Sequence, residues 1–368
     1  MNIDEYEERQ PQVVKVSGDW LEIFIGDAIP GTGDLIRVSS PDGDASVHAA
    51  VTSHAGGRTV RALVFEQPSW LAEGCQVEST DNRAGFPAPE AGTTELDSVT
   101  LSSQDETGVA FALDSPDFTE LLSRRPAVEL GIDGIDRVAP LARGGLNLLL
   151  DNHVGTDALH ALAKRCEHAA EPDATIWVGT KKQAAPDWSD YRIQASQGRD
   201  FAAYRLAMSW AQVLADDHED LLVVAELPAL STRDATEVEI AMGVSIGDII
   251  DTFGTALAST TATSITTLLW LPLAESADGI ATIIETMNLG DVDVELFIDE
   301  DGRFDPSRST SDADLTDDQQ DARNDALRTL AKARDIKEKM KMFGDDEVDP
   351  DEQEVLRKAS ALRARIEG

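Results

Sequence analysis

The 368-residue chain has only two cysteines, Cys75 and Cys166. That is too few for a disulfide framework or a thiolate zinc cluster, and each is expected to be a buried thiol. The six histidines show no His-Glu-x-x-His spacing, so no metal is assigned. No run of 18 apolar residues occurs, and the start Met1-Asn-Ile-Asp-Glu-Tyr-Glu-Glu8 is acidic. Neither a membrane span nor a signal peptide is therefore expected. The reading is a cytoplasmic protein without direct membrane insertion, with a peripheral place on a membrane complex left open. Basic residues are also scarce: 31 Lys and Arg stand against 69 Asp and Glu. Without a basic stripe to release counterions, no nucleic-acid partner is expected.

The acidic surplus amounts to a formal charge of −38, spread along the whole chain rather than gathered in a tail. At molar ionic strength the Debye length is about 3 Å, and such self-repulsion is screened. The composition therefore implies a halophile, of archaeal type, that folds in concentrated salt. With 42% hydrophobic residues, the length suffices for two or three domains with a sizeable core.

Short strand-like runs at 13–16, 21–25, 34–38, 45–51, 59–65 and 75–79 are punctuated by Pro30-Gly31, Asp42-Gly43 and Gly56-Gly57, a spacing that predicts a small β-barrel. The Pro-, Gly-, Ser- and Thr-rich stretch 81–125 reads as a connector with a few irregular strands. Apolar runs at 147–150, 175–178, 221–225, 264–271 and 292–298 then alternate with helix-like segments at 156–170, 198–216 and 231–243. Strands separated by helices imply a mostly parallel sheet with helices on both faces. An acidic loop, 307–321, precedes helical periodicity at 318–342 and 350–366. Asp349-Pro350-Asp351-Glu352 is an N-terminal helix signal. The expected fold class is multidomain α/β: an N-terminal β-barrel over 1–95, an α/β core over 96–315 and a helical domain over 316–368.

The stretch 143–159 has the frame of a strand, a phosphate-binding loop and a helix. A working loop, Gly-x-x-x-x-Gly-Lys-Ser/Thr, needs glycines for close backbone approach, a Lys for the β/γ-phosphates and a hydroxyl for Mg²⁺. In that register the chain supplies Asn152, His153, Val154, Gly155, Thr156, Asp157, Ala158 and Leu159. The Lys position is Ala158 and the hydroxyl position is Leu159. Asp157, where Gly belongs, adds repulsion, and a lost charge-assisted contact costs roughly 1.5–3 kcal/mol. The loop therefore reads as vestigial, and no cofactor is assigned.

In the barrel region, Gly33-Asp34-Leu35-Ile36, Val64-Phe65-Glu66 and 71–77 carry a resemblance, as do Gly131-Ile132, Ile135-Asp136 and 140–144 before the loop. The segment 343–352 resembles an acidic tail motif followed by a helix. Together and in this order they make the chain resemble the alpha/beta (A/B) subunits of F-, V- and A-type rotary ATPases and their flagellar-export relatives. The resemblance implies that the core is a RecA-like domain with the fold of phosphate-loop NTPases, and it also implies which residues to follow. Gly145 stands where the family has Gln. The family's catalytic Glu falls near Gly179-Thr180-Lys181, and a Thr cannot act as a carboxylate base. The magnesium-side aspartate falls on Glu226, and the arginine-finger position falls on Asp312, with Arg308 four residues upstream. A finger contributes three or more orders of magnitude to phosphoryl transfer.

The resemblance thus implies a pseudo-ATPase, not an enzyme: a non-catalytic scaffold or ring-forming subunit whose partners are itself or related ATPase-like subunits. The alternative is a divergent non-catalytic subunit of an ATP-driven machine, synthase-like or secretion-like, whose partner chain hydrolyses ATP. The family's non-catalytic B-type subunits also lack the loop lysine, yet they supply an arginine to the neighbour, and here that position is Asp312.

Overall fold

A computed structural model describes residues 10–26, 29–117, 119–152, 157–180, 185–196, 199–227, 246–273, 292–343, 348–363 and 366. The expected helix at 231–243 lies outside the described residues.

The first strands are β1 (Gln12–Ser17), β2 (Trp20–Phe24), β3 (Asp34–Ser39), β4 (Ser46–Gly56), β5 (Thr59–Val64) and β6 (Gln76–Phe86). They match the six runs expected from the sequence, with β6 continuing past 79. Each pairs antiparallel with its neighbours in the order β1-β2-β5-β4-β3-β6, and β1 closes onto β6 through Gln12 and Gln76. Closure removes the exposed sheet edges. Side chains alternate across a strand, so Leu21, Ile23 and Ile25, then Val47, Ala49 and Val51, then Val60, Ala62 and Val64 all point inward and are buried. The interior is almost wholly Val, Ile, Leu and Ala, a filling suited to a narrow barrel. Each buried Val, Leu or Ile contributes about 1.5–3 kcal/mol.

The chain separates into two compact units. One contains residues up to 115 together with 176–218, and the other contains 116–175 and the described residues from 219 onward. In the first unit, β8 (Ser102–Ser103) and β9 (Val109–Ala110) pair with β6. The parallel strands β13 (Ala174–Thr180), β14 (Tyr191–Ala195) and β7 (Gly92–Glu95) run side by side in that order. A turn of helix, α1 (Gln104–Thr107), precedes β9. The unit's principal helix, α4 (Asp200–Leu214), is held to the barrel by a buried cation. The Arg199 guanidinium donates to Asp19 at 2.8 Å, to Asp97 at 2.5 Å and to the Phe65 carbonyl.

In the second unit, β12 (Leu146–Asp151) lies between β16 (Ser264–Pro272) and β17 (Val294–Ile298), parallel to both, and β15 (Asp220–Glu226) continues the parallel set beside β16. All six residues of β12 are buried, as expected for a strand covered on both faces. The small strand β18 (Thr310–Ser311) adds antiparallel to β17, and β10 (Ala127–Val128) pairs with β11 (Leu141–Ala142). The unit's helices are α2 (Asp133–Val138), α3 (Asp157–Ala170), α5 (Ile246–Ala256), α6 (Asp317–Phe343) and α7 (Pro350–Ala361). The expected helices at 318–342 and 350–366 are thus α6 and α7, the second ending earlier. Asp349 caps α7, accepting from the Glu352 amide at 2.8 Å while Glu352 reaches back to the Asp349 amide at 3.2 Å. Pro350 occupies the first turn, as the sequence signal requires.

Candidate functional site at the end of β12

The turn entering β12 is fixed from inside. Asn147 is fully buried. Its Oδ1 accepts from the Ala142 amide at 2.8 Å, and its Nδ2 donates to the carbonyls of Ala142, Gly145 and Thr267 at 3.1, 3.0 and 3.2 Å. Ser259 Oγ donates to the Gly144 carbonyl at 2.7 Å. Gly144 has φ +70°, and a Cβ on Gly145 would come within 2.9 Å of the Asp293 carboxylate. Asp293 Oδ2 accepts from the Leu146 amide at 2.7 Å, and Asp293 pairs with Arg125. The position where the resemblance implies a Gln is therefore filled by this carboxylate. Arg143 pairs with Asp220 through two bonds, Nη2 at 2.7 Å and Nε at 3.2 Å, which raise its pKa further.

β12 brings Asp151 to the carboxyl edge of the sheet, where ligands bind in open α/β folds. Asp151 is buried and accepts from the indole Nε1 of Trp270 at 3.0 Å. Its neighbours in register are Pro272 on β16 and Ile298 on β17. Glu226 ends β15 in register with Trp270 and is 5% exposed. The structure thus sets two carboxyl groups, Asp151 and Glu226, at the ends of strands that flank β16. Sequence reasoning found Glu226 and missed Asp151 and Trp270. The available signal was a polar residue closing the apolar run of β12 and an indole among the leucines of β16.

The Asn152 amide donates to the Ile298 carbonyl at 3.0 Å, and its side chain is half-buried. Gly155 and Thr156 lie outside the described residues. Asp157 opens α3 and is exposed. Ala158 and Leu159 are buried, 1% and 0% exposed, in line with Leu162, Ala163 and Cys166 on the apolar face of α3. Burial pushes the Cys166 thiol up to about 12, so it offers no thiolate.

Of the remaining positions, Thr180 ends β13, and Lys181 lies outside the described residues. Asp312 follows β18, exposed, its amide donating to the Asp293 carbonyl at 2.8 Å. Arg308 stacks on Phe297, its guanidinium carbon 4.1 Å from the ring centroid. Among the described residues, no group of His, Cys, Asp and Glu side chains is arranged to hold a metal ion. No helix among them is long and apolar enough to cross a membrane.

A closed barrel, parallel strands accompanied by helices, and two terminal helices define a multidomain α/β fold. Residues 13–81 match the ATP synthase alpha/beta family, beta-barrel domain. The chain is 32% identical over 147 residues to ATP synthase subunit beta 1 of Paraburkholderia xenovorans (strain LB400), covering 37% of this chain and 29% of that one. It is likewise 32% identical over 152 residues to ATP synthase subunit beta 2 of Burkholderia pseudomallei (strain 1106a), covering 39% and 28%. The aligned part thus spans less than a third of these curated relatives. Among solved structures, the assembled ATPase EscN of the enteropathogenic E. coli type III secretion system superposes with a TM-score of 0.67 at 12% identity. The superposition covers 97% of this chain and 96% of that one, a likeness of fold. The chain thus carries an ATP synthase alpha/beta beta-barrel domain and has weak homology to ATP synthase beta subunits.

Proposed function

We propose that this chain is a pseudo-ATPase: a cytoplasmic, non-catalytic, ring-forming or scaffolding subunit that assembles with itself or with related subunits. The observation that carries the reading is the burial of Ala158 and Leu159 on the core face of α3. Those two positions would have to present an ammonium and a hydroxyl to phosphate and Mg²⁺. An alanine and a leucine there supply neither, and Asp157 at the start of the helix repels the anion that a helix N-terminus otherwise attracts. A nucleotide with its magnesium does not fit this donor set, so no hydrolytic step is derived. Thr180 and Asp312 provide neither base nor finger. What remains intact is the architecture of barrel, sheet and terminal helices.

Calorimetry with Mg-ATP in molar KCl tests the reading. The expected result is weak or undetectable binding and no phosphate release. Sub-micromolar affinity, or turnover that Glu226→Gln abolishes, would refute it.

The second reading is a divergent non-catalytic subunit of an ATP-driven machine, peripheral to a membrane, whose partner chain hydrolyses ATP. It is favoured by the superposition over nearly the full length of both chains on an assembled secretion ATPase. Co-purification with an ATPase whose rate rises on adding this chain would establish it over a free-standing scaffold.

A further inference from the structure

The scarcest side chains in this protein are basic, yet 11 of its 31 Lys and Arg fall within residues 316–368. Part of that supply borders one groove. The groove, ≈ 1030 Å³, runs between α6, α7 and the 303–309 loop. Arg303, Arg334, Lys337, Lys341 and Arg363 line it, with Glu338 as the lining carboxylate. On α6, Arg334, Lys337 and Lys341 recur at three- and four-residue steps, which places them on one helix face. All three are exposed. Among the described residues, the ion pairs of these cations are long: Arg334 to Glu338 at 3.6 Å and Arg363 to Asp305 at 3.7 Å. Exposed pairs of that length contribute little, so the positive charge is left available to a partner.

The bed of the groove is apolar. Leu327, Leu330, Ala331, Met340 and Leu356 contribute to it, and Leu327 is 43% exposed. From Leu327 to Lys341 the α6 side of the trough extends about 21 Å at 1.5 Å per residue, the length of roughly four helical turns. An apolar bed of that length with cations along its rim is complementary to an amphipathic helix bearing an apolar stripe flanked by carboxylates. In a chain of charge −38, retaining cations at one groove sets that groove apart from the rest of the surface.

We propose that the groove between α6 and α7 is a docking site for an acidic amphipathic helix of a partner protein. Apolar side chains of that helix enter between Leu327 and Met340, and its carboxylates meet Arg334, Lys337 and Lys341. The site is separate from the β12 edge, so it stands whether or not that edge binds nucleotide.

The test is fluorescence anisotropy with the full chain in about 1 M KCl, where long-range charge effects are screened and contact pairs remain. Three labelled peptides of about 15 residues are compared: a Leu/Glu amphipathic helix, its Leu/Lys twin, and a scrambled Leu/Glu sequence without a stripe. The first is expected to bind at micromolar concentration and the other two at least about tenfold more weakly. Lys337→Glu with Lys341→Glu is expected to lower affinity about tenfold or more, and Ala331→Trp to obstruct the bed with the charges kept, while far-UV melting stays near that of the parent. Equal binding of the helical and scrambled acidic peptides, or displacement by polyphosphate alone, would reduce the groove to a general anion site and overturn the proposal. So would failure of the acidic helix to bind. Self-association that the charge reversals abolish would make the occupant a second copy of this chain, which also overturns it.

Discussion

At the scale of the residue, three buried groups hold more than their size suggests. Asn147 satisfies four backbone groups around the turn into β12. Asn147→Ala would orphan several of them, at about 1–3 kcal/mol for each buried unpaired group. A urea midpoint unchanged from the parent would show that the network is dispensable. Gly134 in α2 lies so close to the Leu362 carbonyl that a Cβ there would collide with it. Gly134→Ala is expected to cost about 1–3 kcal/mol by overpacking, seen as a lower thermal midpoint and earlier proteolysis of the C-terminal helices. Asp19 is raised from 3.8 to about 6 by burial, against the opposing pull of Arg199. Because its folded pKa lies above the unfolded one, the folded state binds the proton more tightly. This contribution to stability is fully present below about pH 4 and is lost as pH rises through 6. At constant KCl the urea midpoint should therefore rise between pH 7.5 and 5. Asp19→Asn should flatten part of that rise, and the difference between the two proteins separates Asp19 from the other carboxylates.

At the scale of the element, much of the fold is legible because the periods are strong. The barrel strands carry apolar residues at every second position, and Leu21, Ile23 and Ile25 or Val60, Ala62 and Val64 are accordingly buried together. The cap of α7 is equally plain, since Asp349, Pro350 and Glu352 each take the role their chemistry suits. Asp349→Ala is expected to cost about 0.5–2 kcal/mol of local helix stability, measurable as faster amide exchange in the first turn of α7. By contrast β7 and β14 escape a sequence reading. Gly92-Thr-Thr-Glu95 has no apolar residue, and the alternation Tyr191-Arg-Ile-Gln-Ala195 is brief. Their strand character comes from parallel neighbours about a hundred positions apart in the chain, and local preference carries no trace of such pairing. The helix α5 carries a mixed signal: Ile246, Ile249, Ile250 and Phe253 are buried at helical spacing, while Gly247 and Gly254 weaken its propensity. At the candidate site, Ala158 and Leu159 can be read in the sequence as side chains without a cation or a hydroxyl. Their burial is visible only once α3 is packed, and so is the meeting of Asp151 with Trp270, two residues that lie 119 positions apart.

At the scale of the whole molecule, the charge of −38 on 368 residues is the dominant long-range term. Thermal melts should show the midpoint rising steeply between roughly 0.2 and 2 M KCl as screening shortens. A flat profile would remove the inference of a salt-adapted protein. Assembly is the second expectation at this scale. Light scattering at high salt should find a closed ring or a stacked oligomer, either of the chain alone or on co-expression with a related subunit. A strictly monomeric chain in both experiments would instead favour a monomeric binding protein built on the same fold.

The barrel also has a seam. β1 meets β6 in register at Gln12 and Gln76 alone, supported by a few bonds such as Val13 to the Cys75 carbonyl at 2.9 Å and Val77 to the Pro11 carbonyl at 3.1 Å. A ribosome delivers β1 first, and the hairpin with β2 can form at once, but the ring of strands cannot be completed until the segment around Cys75 has left the exit tunnel. At about 5–20 residues per second, the nascent barrel spends several seconds open along one side. During that interval Val13 and the interior row behind it face water. Salts excluded from the protein surface also strengthen apolar attraction between such chains. Synthesis, rather than the mature state, is therefore when this protein is most exposed to aggregation.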